Sequence, residues 1–163
     1  MSEKIHWRKN LDSKYICGED LNSSLKGLKP EMVVCIERFN DDKTFDKNKS
    51  ADVVVSALYL KEVNGSALYK PVILNKTNAR FFIKETGSEF IDDWIGRPVT
   101  MFAQKDSRHG YVVRFKAYVK PTLLKDSEAF TKVKTAMASG YTIDQVKNKY
   151  TLSKEVEDLL NGK

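Results

Sequence analysis

The stretch Tyr69–Phe102, YKPVILNKTNARFFIKETGSEFIDDWIGRPVTMF, constrains the chain most. It opens with a short apolar strand, Val72–Leu74, bounded by Pro71 and Asn75. Asn75 is suited to cap a helix, and Asn78, Ala79, Phe82, Ile83 and Thr86 then recur at helical spacing. Gly87 follows the last periodic residue, where a left-handed C-cap is expected. After a polar loop, Trp94-Ile95-Gly96 leads into a strand beginning near Val99. A single helix therefore lies between two strands, with further strands on both sides.

Residues 1–30 are polar and weakly periodic, and read as an extended lead-in that packs on the rest, with one short strand near Lys14–Cys17. The first clear strand is Met32–Phe39, MVVCIERF, rich in β-branched residues and free of breakers. Asn40–Ser50, NDDKTFDKNKS, reads as a charged loop, long enough to be a functional or mobile one. Asp52–Val63 is the second and longest strand. Asn64-Gly65 is a strong hairpin signal and leads into a third strand, Ala67–Leu74. After the helix, Val99–Lys105 and Tyr111–Lys120 are two more strands, joined by the loop Asp106–Gly110. Pro121 ends the sheet region.

Three strands, one helix and two strands is the order of the OB-fold, a five-stranded, partly open Greek-key barrel. The expectation is thus a mainly β chain with an OB-like barrel over residues 31–121, its helix between strands three and four. The last forty-odd residues, 122–163, change character. Ala129, Phe130, Val133 and Met137 are helically spaced and the run ends at Gly140. Thr142-x-x-Gln145 is a capping box opening a second helix through Lys149, and Ser153 caps a third, Lys154–Leu160. A small helical C-terminal appendage is expected, with Ile143, Val146, Tyr150, Leu152, Val156 and Leu159 as its apolar side.

No apolar run approaches the length that crosses a membrane. Cys17 and Cys35 do not make a disulfide framework, so a reducing, cytoplasmic compartment is the expectation. His6 and His109 have no metal-ligand spacing with these cysteines, and no metal or other cofactor is expected. No nucleophile elbow, Walker loop or dinucleotide fingerprint occurs. Asp92 and Asp93, being adjacent, point apart, and read as a solvated turn and not as paired acids. Asp41, Asp42 and Asp46 lack the glycine and terminal glutamate of a calcium loop. The expectation is a chain without catalytic residues.

The net charge of +6 favours a polyanionic partner. Binding a single strand needs cations along the phosphates and flat side chains for the bases. Strand alternation puts Arg114, Lys116, Tyr118 and Lys120 on one face of the last strand, opposite Val113, Phe115, Ala117 and Val119. In the second strand Tyr59 and Lys61 share parity, although Val53, Val55 and Ala57 lie on that side too. Tyr69 and Lys70 fall on opposite faces of the third strand, so only one joins a given surface, and Lys70 is counted with the basic set. Arg38 ends the first strand and Arg108 lies in the last hairpin loop. Outward lysines, arginines and tyrosines also serve solubility alone, so both readings stand for each residue. Trp7-Arg8-Lys9 is a further aromatic–basic cluster. Trp94 is expected to pack in the core.

The run Lys70–Phe102 resembles a segment of small proteins encoded by phages and prophages, which share K-P-x-x-L-N-K-T-N, a W-I-G-[KR] step and a following strand. Gly18–Leu21, G-E-D-L, is similar to that group as well, and the resemblance covers about two-thirds of the chain. It implies a replication or recombination accessory protein with an OB-like barrel that binds single-stranded DNA in the host cytoplasm. Lys70, Asn75, Asn78, Trp94 and Gly96 match the shared motif, with binding and structural roles both open. The chain departs from well-known single-strand binders in ending Leu160-Asn161-Gly162-Lys163, without their acidic tip. A second reading is a phage protein-interaction module that modulates a host or phage enzyme through Asn40–Ser50 or the helical tail. Duplex reading by the tail is opposed by Glu155, Glu157 and Asp158 on its last helix. DNA against RNA, and the oligomeric state, are left open.

Overall fold

The structure, a computed structural model, describes residues 14–46, 48–63 and 65–162. Trp7-Arg8-Lys9, His6 and Asn64 lie outside the described residues. The chain divides into two units, Met1–Tyr118 and Val119–Lys163.

The first unit is built on a five-stranded antiparallel sheet: β1 (Glu31–Asp46), β2 (Ala51–Glu62), β3 (Val72–Ile73), β4 (Pro98–Asp106) and β5 (Gly110–Ala117). The spatial order is β3-β2-β1-β4-β5. Three consecutive strands with the fourth returning beside the first make a Greek key. β3 and β5 are the two edges and do not pair, so the sheet is not closed into a barrel.

Helix α1 (Gly18–Asn22) and helix α2 (Lys76–Thr86) both lie against the β5 edge. The Ile16 N–H donates to Pro71 O at 2.9 Å, beside β3. Gly18 lies so close to β5 that a Cβ there would sit 2.3 Å from Tyr111 C and Val112 N. From α2, the buried Asn78 Nδ2 donates to Val113 O at 3.2 Å. Covering an edge in this way blocks pairing with other chains.

α2 forms as its sequence requires. Asn75 Oδ1 accepts the Asn78 N–H at 2.9 Å, and Gly87 closes the helix in the left-handed region at φ 72°. Its Phe82 stacks on Trp94, with ring centroids 5.1 Å apart and planes 12° off parallel, and meets Phe115 at 5.0 Å. Met32, Val34 and Ile36 of β1, Leu58 and Leu60 of β2, and Val99 and Met101 of β4 complete the same core.

Four strand expectations are corrected. Lys14–Cys17 is not a strand; it leads into α1, where Asp20 Oδ2 accepts the Cys17 N–H at 2.9 Å. Asn40–Ser50 is not a loop. β1 runs through it to Asp46 and pairs with β2 residue by residue down to Asp46–Ala51, and Asn48–Ser50 form a turn. Its charges misled because one face of this two-stranded arm is exposed and the other is only half-buried, with Asp42 held there by Lys14 and Tyr15, so polarity does not mark the end of pairing. The third strand shrinks to Val72–Ile73 plus a bridge between Ala67 and Lys61, since Pro71 supplies no N–H to a ladder. β5 stops at Ala117.

A bulge interrupts β1 between Ile36 and Arg38. The Gly96 N–H, at φ 76°, donates to Ile36 O at 2.9 Å there. The W-I-G step thus delivers a backbone donor to a carbonyl at the β1 irregularity.

The second unit holds α3 (Glu128–Ala138), α4 (Ile143–Lys149) and α5 (Lys154–Leu160), capped by Ser127, Thr142 and Ser153. Thr142 and Gln145 form the expected reciprocal capping box. Leu123, Phe130, Val133, Val146 and Val156 bury together as a separate small core. Among the described residues no helix is long and apolar enough to cross a membrane.

Candidate functional site

Cross-strand register decides which side chains share a face. Arg114 pairs with Phe102, which pairs with Glu31; Lys116 pairs with Thr100, which pairs with Val33. Cys35 pairs with Lys61, and past the bulge Arg38 pairs with Tyr59. The core residues Val34, Ile36, Leu60, Met101 and Phe115 occupy the alternate positions. Hence Arg114, Lys116, Phe102, Lys61, Arg38 and Tyr59 lie on one face, opposite the core. With strands ~4.8 Å apart, this face is roughly 15 Å wide from β5 to β2.

The bulge matters to this arrangement. A regular ladder would pair Arg38 with Leu58 and turn it toward the core, because one residue of slip exchanges the faces of a strand. The extra residue at Glu37 brings Arg38 out beside Tyr59. There its guanidinium carbon lies 3.5 Å from the ring centroid, a stacked cation–π pair. Lys116 Nζ lies 5.2 Å from the Phe102 ring and 2.7 Å from Glu31 Oε2. Arg114 Nη1 donates to Val113 O at 3.0 Å. Cys35 is buried beneath Lys61; burial pushes its thiol pKa up, so the thiolate is disfavoured there.

The other expected residues lie elsewhere. Arg108 is in the β4–β5 turn, at the end of the sheet away from the β1–β2 tip, because β4 runs antiparallel to β1. Asp106 Oδ1 organises that turn, accepting the Arg108 and His109 N–H groups at 2.9 and 3.0 Å and meeting His109 Nδ1 at 3.0 Å. These contacts, the Arg108 N–H first, hold the Asp106 carboxyl below the usual carboxylate range. Tyr118 is half-buried, one residue past the end of β5. Lys120 belongs to the second unit, where its Nζ donates to Lys147 O at the C-terminal end of α4. Lys70 lies outside the strands with its Nζ 5.8 Å from the Tyr69 ring, which Lys26 approaches to 5.1 Å.

Phe102 was missed by sequence reasoning, yet the alternation Thr100-x-Phe102-x-Gln104 against Val99, Met101 and Ala103 carries its signal. The pairing of Arg38 with Tyr59 has no such signal, because it depends on the bulge. The motif residues Asn75, Asn78, Trp94 and Gly96 have structural partners: a cap, the β5 edge, Phe82 and Ile36. Among the described residues no three of His, Cys, Asp and Glu gather as metal ligands.

Compared with protein-family models, with curated proteins and with solved structures, the chain matches none of them.

Proposed function

We propose that this face binds single-stranded nucleic acid without catalysing a reaction on it. The observation that carries the reading is the convergence of Arg38 on Tyr59, Lys116 on Phe102, and Lys61 and Arg114 beside them, on one face of one sheet. Cations meet phosphates, while the tyrosine, phenylalanine and guanidinium planes offer surfaces on which bases stack. Arg108 at one end and the β1–β2 arm at the other flank the track, in the positions of the two loops that OB-folds use on oligonucleotides. The Greek-key order with one helix ahead of β4, and α1 and α2 packed on β5, supports an OB-like reading. The resemblance of Lys70–Phe102 to phage proteins supports a place in phage replication or recombination, with single-stranded DNA as the ligand.

Fluorescence anisotropy with a labelled single strand, a matched duplex and a salt series tests this. The single strand is expected to bind better than the duplex. With four cations engaged, the logarithm of the association constant should fall with the logarithm of salt at a slope of about −3. Tyr59→Ala should weaken binding about tenfold, and Arg114→Ala should reduce the salt slope by about one. Absence of binding at low salt, or equal affinity for the duplex, would overturn the proposal.

A further inference from the structure

Past the body of the sheet, β1 and β2 continue as a two-stranded arm. β4 pairs with β1 only from Glu31 to Cys35, and β3 pairs with β2 only at Ala57 and Leu58. Among the described residues nothing pairs with the outer edge of β2 from Ala51 to Val55. An isolated two-stranded ribbon is marginal in water, and a third or fourth strand stabilises it.

The two edges of the arm differ in charge. β1 carries Asp41, Asp42, Lys43 and Asp46, the kind of charge that keeps an edge from pairing. An antiparallel twofold pairing centred on Asp41, Asp42, Lys43 or Thr44 would in each case set like charges opposite each other, and such pairs destabilise. The β2 edge reads Ala51-Asp52-Val53-Val54-Val55, with one charge and three consecutive β-branched residues. Val54 is 64% exposed.

The backbone shows which residues of that edge are available. The Leu74 N–H donates to Ser56 O at 2.9 Å and the Leu68 N–H donates to Leu60 O at 2.8 Å. In an antiparallel ladder the N–H and C=O of alternate residues turn to the same side, so Val54 and Asp52 also direct theirs outward. Since Leu74 already occupies Ser56, the free stretch is centred on Val53.

We propose that this edge pairs antiparallel with the same edge of a second copy of the chain, Val53 lying across a twofold axis from its mate. Asp52 of each copy then faces Val54 of the other, and all the outward N–H and C=O groups of both residues are used. Because Phe45 pairs with Asp52 and Lys43 with Val54 within one arm, each row across the dimer reads Phe45, Asp52, then Val54 and Lys43 of the second copy. Asp52 lies ~10 Å from that Lys43, two strand spacings away, and no like charges face each other. On the other side of the ribbon Val53 meets Val53, and Ala51 meets Val55. The occupant is a second copy because in this register the edge satisfies its own outward N–H and C=O groups, sets valine against valine and brings no like charges opposite each other.

Sedimentation of the full chain over a wide concentration range tests the proposal. A reversible dimer is expected. Val54→Pro removes the outward N–H and leaves the β1 ladder intact. Two hydrogen bonds are lost per dimer, so its dissociation constant should rise about thirtyfold. Val54→Thr, which keeps the N–H and the branching, should leave it within about threefold. Circular dichroism and thermal melting report whether each variant folds. Should Val54→Pro not fold, Val53→Cys decides: residues facing each other at a non-hydrogen-bonded pair are ~4.5 Å apart at Cα, within disulfide reach. Oxidation should link that variant into a covalent dimer, read against the wild-type chain with its own Cys17 and Cys35. A monomer at every concentration, a dimer untouched by a folded Val54→Pro, or a Val53→Cys chain that does not cross-link would each overturn it.

Discussion

Replacing Trp94 with alanine is expected to destabilise the chain by about 4 kcal/mol, the range of a large aromatic removed from a packed core. The indole is 2% exposed, lies flat on Phe82 and donates from Nε1 to Ser88 O at 2.9 Å. Phe82 in turn meets Phe115 of β5, so one ring joins the link before β4 to α2 and, through α2, to the sheet. The same link carries the Gly96 donor to the β1 bulge. Loss of Trp94 should therefore disturb the bulge and, through it, the placement of Arg38 over Tyr59. Denaturant unfolding measures the first effect. Oligonucleotide affinity of the still-folded fraction measures the second, and Trp94→Phe should recover most of both. A loss below about 1 kcal/mol would mean that the cavity collapses readily and that the stack is not what holds this corner.

Gly18→Ala is the second large effect, and its sign opposes helix propensity. Alanine is favoured over glycine in a helix by about 1 kcal/mol. Here the added Cβ would fall 2.3 Å from Tyr111 C and Val112 N, both backbone atoms that cannot swing away. α1 would have to lift from β5, taking the fully buried Leu21 with it. A loss of about 3 kcal/mol is expected, at the upper end of overpacking effects. Gly87→Ala is the informative contrast. That residue has open space around it but sits at φ 72°, so only left-handed strain of about 1 kcal/mol applies. If the two variants melt alike, the close approach of α1 to β5 does not constrain the fold.

The helices were largely legible. The Asn75 cap, the Phe82–Ile83 periodicity and the Gly87 stop delimit α2 correctly, and the Thr142–Gln145 box and Ser153 do the same for α4 and α5. Each signal acts between residues within about one turn, so it survives in one dimension. The outward set on β5 was legible by alternation for Arg114 and Lys116, but not past Ala117, because alternation does not say where a strand stops. α1 was illegible: five residues offer little period, and what holds Gly18, Asp20 and Leu21 is contact with β5, a local hydrogen bond and the core.

By itself, then, the sequence determined a mainly β chain with a single helix between two sets of strands, a run of capped helices at its end, and a basic, outward-facing last strand. These follow from periodicity and capping, in which each residue answers to neighbours a few positions away. Only the tertiary structure decided that Asn40–Asp46 is strand and not loop, that the sheet stays open between β3 and β5, and that Arg38, Tyr59, Lys61, Phe102, Arg114 and Lys116 share one face. Those outcomes depend on register between strands far apart in sequence and on one extra residue at Glu37. A single-residue slip leaves composition and local pattern unchanged while moving every side chain beyond it to the opposite face.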